Sequence, residues 1–259
     1  MDMNRRIALR SLGLAAATGI CATCFGLGVA HAAEGVHWGY EGAVGPGNWG
    51  KLSADFKTCE IGLEQTPIDL KGSVKASLSG VELDYRPMQG AKIVHNGHTI
   101  QVNAAAGQGA KIDGERYELV QFHWHHPSEH LLSGKSFDLE LHFVHRNGAG
   151  QLAVVGVFMK PGGANAALDP IWKAMPKAEG PEALLAAKLD LAGLVPKNRA
   201  YYRYFGSLTT PPCSEGVKWT VFRDALEISP AQVQQFAQLF PLNARPVQTL
   251  NNRYLLERG

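Results

Sequence analysis

The segment Phe122-His123-Trp124-His125 constrains the fold of this chain more than any other. It alternates a large apolar residue with an imidazole. On a helix that alternation would scatter both sets around the axis. On a strand of period two it sends Phe122 and Trp124 to one face and His123 and His125 to the other. The wider stretch from Tyr117 to His125 also alternates and is rich in aromatics. A sheet is therefore expected with core on one face and imidazoles on the other, His126 falling on the side of Phe122 and Trp124.

Other segments agree. Thr99 to Val102 alternates after an Asn96-Gly97 turn signal, Phe137 to Val144 alternates again, and Arg146 to Gly150 supplies a hairpin turn into an apolar strand from Leu152 to Met159. The 29 Gly and 14 Pro point to many turns. Helical pattern is confined to short pieces, Pro181 to Ala187 and Pro230 to Leu239, the second with Ser229 as N-cap and Pro230 at the first helical position. The expected class is mostly β (α+β), with peripheral helices. No repeat, charge run or linker divides residues 33–259, so one domain is expected there. With 45% hydrophobic and 19% charged residues, a disordered or collagen-like chain is excluded.

Most of the ten histidines lie between His95 and His145. A lone histidine on a strand is more often structural than a ligand. A pair at i and i+2 weakens that reading. Glu140-Leu141-His142 places a third imidazole on a second strand, on the same face as a carboxylate. If the two strands are neighbours, His123, His125 and His142 converge, and three neutral imidazoles with an open fourth position form the donor set of a catalytic zinc site. On spacing alone, Glu140 could instead belong to a salt bridge on a sheet surface.

Residues 1–32 read as a secretory signal. Arg5, Arg6 and Arg10 form a basic head, an uncharged apolar run follows, and Ala30-His31-Ala32 supplies the small residues a signal peptidase reads. A membrane anchor is the competing reading, and Arg5-Arg6 leaves a twin-arginine route open beside the general secretory one. The mature chain is then expected in the periplasm. The whole chain carries a net charge of +2. Losing Arg5, Arg6, Arg10 and Asp2 leaves it formally neutral, which argues against nucleic acid as a partner. Cys21 and Cys24 fall within the signal, so their spacing is not read as a redox motif. Cys59 and Cys213 remain. An oxidising compartment allows them one intramolecular pairing, two free thiols being the alternative.

Eight stretches then match a known pattern in the right order: His37-Trp38-Gly39-Tyr40, Gln65-Thr66-Pro67-Ile68, Asn96-Gly97-His98, Gln121-Phe122-His123-Trp124-His125, Pro127-Ser128-Glu129-His130, Glu140-Leu141-His142, Ser207-Leu208-Thr209-Thr210-Pro211-Pro212-Cys213 and Asn243-Ala244-Arg245-Pro246. With them the chain resembles an α-class carbonic anhydrase of the exported bacterial kind, over essentially all of the mature sequence. The resemblance implies a large twisted, mainly antiparallel sheet with short peripheral helices and a zinc cleft on one face. It implies a zinc lyase that hydrates CO2 reversibly to bicarbonate and a proton by attack of zinc-bound hydroxide.

Carried over position by position, the resemblance puts Zn2+ on His123, His125 and His142, with Gln121 and Glu140 accepting hydrogen bonds from the ligand rings. Thr209 would accept from the hydroxide and donate to Glu129, which when ionised can only accept and so sets the direction of the pair. Val144, Val154, Leu208, Thr210, Val217 and Trp219 would line the substrate pocket. His98 would shuttle the proton through waters ordered by Tyr40, Asn96 and Gln101, the last standing where Asn is commoner. His126 is given no catalytic part. Cys59 and Cys213 match the pair bridged in secreted members. The expected partners are CO2 and bicarbonate, with no nucleic acid, no stable membrane association after cleavage, and a homodimer left open. A catalytically silent zinc-binding relative, a zinc store and hydrolysis of activated esters as a side activity are the alternatives.

Overall fold

A computed structural model describes residues 35–259, and the signal expected at 1–32 lies outside them. Among the described residues the main sheet has 13 strands. Ten form its continuous path: β1 (Val74–Lys75), β2 (Lys92–His95), β3 (Ile100–Asn103), β4 (Glu115–His125), β5 (Leu139–Arg146), β6 (Leu152–Pro161), β7 (Ala183–Leu184), β8 (Tyr201–Ser207), β9 (Glu215–Phe222) and β10 (Leu256–Arg258). Their spatial order is β7-β2-β3-β4-β5-β6-β9-β8-β10-β1. Most pairs are antiparallel, as expected, while β6–β9 and β10–β1 are parallel. No helix among the described residues is long and apolar enough to cross a membrane.

The strand that carries His123 and His125 is not uniform. Tyr117 and Leu119 belong to the same buried cluster as Phe122 and Trp124, so the inward positions switch from odd to even numbers along β4. The register against β5 shifts between Leu119 and Gln121, which leaves Val120 as an extra residue. A bulge of this kind turns every later side chain to the other face. It is what sets His123 and His125 opposite the core.

That core lies between one face of the sheet and the helices Asp169–Ala174 and Pro230–Ala237. Trp124 meets Trp172 edge to face at 5.0 Å, and Phe236 stacks on Trp172. Burying such side chains contributes about 2–3 kcal/mol each. The second helix begins at Pro230 as expected and ends two residues earlier than expected. Ser229 and Gln232 form a reciprocal capping box, each side chain bonding the other's backbone N–H at 3.3 Å. The Phe137 strand starts at Leu139, and the Leu152 strand runs on to Pro161.

The helix expected over Pro181 to Ala187 does not form. Ala183–Leu184 pairs antiparallel with Ile93 and Lys92 as the edge strand β7. Leu185 then donates its N–H to the Ala91 carbonyl at 2.8 Å and buries its side chain. Seven residues are too few for helix propensity alone to hold, and the edge of β2 offers both hydrogen bonds and a site for Leu185.

Candidate metal centre

Register brings the imidazoles together. His123 on β4 stands directly opposite His142 on β5, and Gln101 on β3 opposes His123 from the other side. His123, His125 and His142 each turn one ring nitrogen inward, and these atoms lie within 4.8 Å of one another.

The other ring nitrogen of each histidine is already engaged. His123 Nδ1 donates to Gln121 Oε1 at 2.8 Å. His125 Nδ1 donates to the Asn243 carbonyl at 2.7 Å. His142 Nε2 donates to Glu140 Oε1 at 2.9 Å. A carbonyl and a carboxylate can only accept, so these tautomers are set by the partners. His123 Nε2, His125 Nε2 and His142 Nδ1 are left with lone pairs facing one point. Burial pushes all three rings below the usual histidine range, His125 to about 4 and His123 well down, with repulsion among the rings adding for His123. The rings are neutral at neutral pH, the state a metal ligand requires. His125 Nε2 is buried with no hydrogen-bond partner. Three neutral nitrogens with one orphan among them suit a zinc ion.

Glu140 is fully buried, which removes the surface salt bridge as a reading. Burial alone would raise its pKa. His130 and His142 outweigh that and hold it well below the carboxylate range. His130 is also close to Glu140 and His142, but its Nδ1 donates to Glu140 Oε1 at 2.7 Å and its Nε2 meets the Tyr204 hydroxyl at 2.6 Å. With both nitrogens occupied, His130 braces Glu140 rather than offering a ligand.

Glu129 sits on the same point from below. Its Oε1 accepts the Arg245 N–H at 2.9 Å. Its Oε2, with no hydrogen-bond partner, lies 3.4 Å from His125 Nε2 and 3.8 Å from His142 Nδ1. Burial pushes the Glu129 carboxyl up to about 7, against the pull of His142, the Arg245 N–H and the Thr209 hydroxyl. Thr209 is buried beside it.

Val144, Val154, Val217 and Trp219 form one buried cluster on this face, with Leu208 packed against it. The Trp219 ring meets that of His142 edge-on at 4.9 Å. Thr210 is half-buried, and its carbonyl accepts the Cys213 N–H at 2.9 Å. On another wall, Tyr40 packs against Trp38 and Trp49. Burial, and then the Glu129 charge, raises its phenol well above the usual range. His98 stacks on Trp38, ring centroids 3.6 Å apart and planes within 8°. Burial lowers its pKa, Glu179 opposes that, and His37 and His95 add to it. Asn96 Oδ1 accepts the N–H groups of His98 and Thr99 at 3.0 and 2.9 Å. Gln101 donates to Asn103 Oδ1 at 2.7 Å. His126 turns away to the Pro241 carbonyl.

Cys59 and Cys213 are joined in a disulfide. Arg245 backs it, donating to the carbonyls of Cys59 and Thr66 and to Gln65 Oε1. Arg245 and Asn243 went unassigned in the sequence, although their motif was visible. Asn243 also donates to the carbonyls of His98 and Trp124, so one residue ties the shuttle candidate's segment to the strand carrying His125. Contacts spanning more than a hundred residues leave no local signal.

A family model described as eukaryotic-type carbonic anhydrase matches residues 44–258. The chain belongs to that family. It is 46% identical over 231 residues to a carbonic anhydrase of Nostoc sp., covering 87% of each. To that of Pectobacterium atrosepticum it is 40% identical over 228 residues, covering 88% of this chain and 93% of the other. A solved α-carbonic anhydrase from Thermovibrio ammonificans, in complex with the inhibitor sulfanilamide, superposes with a TM-score of 0.83 at 45% identity, covering 86% of this chain and 99% of that one. Like these carbonic anhydrases, the chain is an enzyme of the mostly β class.

Proposed function

We propose that this chain interconverts CO2 and water with bicarbonate and a proton at a zinc ion held by His123 Nε2, His125 Nε2 and His142 Nδ1. The observation that carries the reading is the trio of hydrogen bonds that the rings donate to Gln121, Asn243 and Glu140, which leaves one lone pair per ring directed inward. Zinc, when bound, supplies Lewis acidity that brings the pKa of a coordinated water to about 7, carbonic anhydrases being the standard example of this effect. Neutral ligands leave the ion's charge uncompensated, which favours that acidity.

The protein groups act around the nucleophilic oxygen. Glu129, its pKa lowered from about 7 by a zinc ion on the inward nitrogens, stays ionised, so that it accepts from the Thr209 hydroxyl and leaves the Thr209 oxygen free to accept a hydrogen from the nucleophile. A lone pair of the attacking oxygen is thereby turned toward carbon. CO2 is small and apolar, and the wall of Val144, Val154, Leu208, Val217 and Trp219, with Thr210 at its margin, holds it without hydrogen bonds. The proton leaves by way of a ring nitrogen of His98, set back from the ligands, along waters ordered by Tyr40, Asn96 and Gln101. Residues 1–32 direct export, and the mature enzyme works in the periplasm, a setting that suits the Cys59–Cys213 bridge.

The test is stopped-flow CO2 hydration on residues 33–259 with metal content measured on the same sample. One zinc per chain and fast hydration, both lost in His123→Ala, is the expected result. Stoichiometric zinc with no hydration would overturn the reaction and move the chain to the silent binding class. Ester hydrolysis on the same preparation ranks the side activity.

A further inference from the structure

We propose that Glu182 is a positioning residue for the turn that carries His98, acting through the side-chain amides of Asn103, Gln101 and Asn96. The inference rests on the reading of His98 as the proton shuttle.

The segment expected to be helical is what makes the arrangement. As an edge strand, β7 lies against β2 and brings Glu182 beside Lys92, with which it forms a surface ion pair. Lys92 in turn faces Asn103 across β2 and β3. The other carboxylate oxygen, Glu182 Oε2, accepts from Asn103 Nδ2 at 2.9 Å.

From that end the direction of every link follows. An ionised carboxylate has no hydrogen to give, so Asn103 must present its NH2 to Glu182. Asn103 Oδ1 is thereby turned to Gln101 and accepts from Gln101 Nε2 at 2.7 Å. Gln101 Oε1 is then turned to Asn96 Nδ2, at 3.5 Å the longest link. Asn96 Oδ1 is left to accept the backbone N–H groups of His98 and Thr99. These two bonds close the turn in which Gly97 takes φ +86°, a conformation open to glycine. Inverting any one amide would set donor against donor or acceptor against acceptor along the row. The row is anchored at both ends, by a carboxylate that can only accept and by two backbone N–H groups that can only donate, so the amides between them have one consistent orientation.

The row has a meaning for the site because of where it runs. Gln101 and Asn103 alternate onto one face of β3, opposite His123 and Gln121 on β4. The glutamine at 101, where asparagine is commoner in the family, has one more methylene with which to span Asn103 and Asn96. Lys92 and Glu182 are both exposed, so the ion pair itself contributes little to stability, and removing Glu182 does not threaten folding.

The experiment compares Glu182→Ala, Glu182→Gln, Lys92→Ala and His98→Ala as full-length mature, zinc-loaded enzymes. Amide hydrogen exchange at His98 and Thr99 is read by NMR, and stopped flow separates kcat from kcat/KM. Glu182→Ala is expected to speed exchange at both amides about tenfold and to lower kcat about threefold with kcat/KM unchanged. Added imidazole, a soluble proton carrier, restores that kcat. Glu182→Gln keeps an acceptor oxygen for Asn103 and is expected to behave as the parent. Lys92→Ala removes only the ion pair and is expected to do the same. Unchanged exchange in Glu182→Ala overturns the inference. So does an unchanged kcat in that variant while His98→Ala loses kcat. If His98→Ala itself keeps full kcat, the shuttle reading falls, and exchange alone then decides whether Glu182 holds the turn.

Discussion

Gly156 stands directly opposite His142 on the neighbouring strand, and a methyl in place of its hydrogen would lie 3.1 Å from Glu140 Oε1. The same methyl would come within 3.3 Å of Val221. A methyl at 156 would therefore fit only if the carboxylate that holds the His142 ring gave way by a few tenths of an ångström. Gly156→Ala is expected to press Glu140 away from His142 Nε2 and weaken zinc binding about tenfold, since partners of ligand rings typically contribute that much. Competition against a chromophoric chelator measures it. Unchanged affinity would show that Glu140 yields without releasing the ring.

Zinc should also stabilise the fold. Three neutral nitrogens on two adjacent strands close a cross-strand link when they share an ion. At a free zinc concentration 1,000 times the dissociation constant, the gain is about 4 kcal/mol by mass action. Chelator is expected to lower the thermal midpoint and added zinc to restore it. His142→Gln should show a midpoint indifferent to both, and a midpoint that still responds to zinc would place the ion elsewhere.

Acid should destabilise the metal-free protein. Burial holds His125 and His145 at about 4, whereas the unfolded chain titrates them near 6.5. Between those values the unfolded state binds more protons, so stability falls as pH falls from 6.5 to 4, by about 3 kcal/mol for each ring. Glu129, raised to about 7, has the opposite sign: the folded state binds its proton first, and acidification from 7 towards 4.5 favours folding. It offsets roughly one of the two histidines. His145 lies three residues beyond His142 on β5, on the opposite face of the sheet, and pairs with the Tyr85 hydroxyl at 2.9 Å. His123 and His142, lowered by burial in the same direction, add to the acid loss, so His145→Gln, which cannot titrate, is expected to make the slope shallower in urea titrations across this window without abolishing it. A slope the substitution leaves unchanged would show that His145 is not among the groups responsible.

The disulfide closes a sequence separation of 154 residues. In the chain-entropy description a loop of that length is stabilised by about 5 kcal/mol at most, and 2–5 kcal/mol is the usual loss on removal. Cys59→Ser with Cys213→Ser is expected to lose stability in that range by denaturant titration. Hydration should weaken as well, because Cys213 ends the loop that carries Thr209. Full activity in a destabilised double variant would show that the bond from Gln65 Nε2 to the carbonyl of residue 213 holds the loop without the bridge.

The outward imidazoles were legible because strand alternation is a local property: His123 and His125, two residues apart, share a face whatever the rest of the chain does. Glu140 and His142 follow the same rule. So did the helix at Pro230, whose start is written in a cap and a proline. The segment at Pro181 failed for the complementary reason. Its local pattern suits a short helix, but the edge of β2 offers Leu185 a buried site and its N–H a partner. Local propensity is worth less than that.

By itself, then, the sequence determined the candidate ligand set, the pairing of Glu140 with His142 on one face, the mostly β class and the family. These depend on residue type and spacings of two. Only the tertiary structure decided the bulge at Val120 that turns the histidines away from the core, the register that sets His123 opposite His142, and the reach of Asn243, Arg245 and Glu182 into the site from distant segments. Those contacts close loops of up to a hundred residues and more. Their partners are chosen by strand pairing across the whole sheet, which no window of neighbouring residues contains.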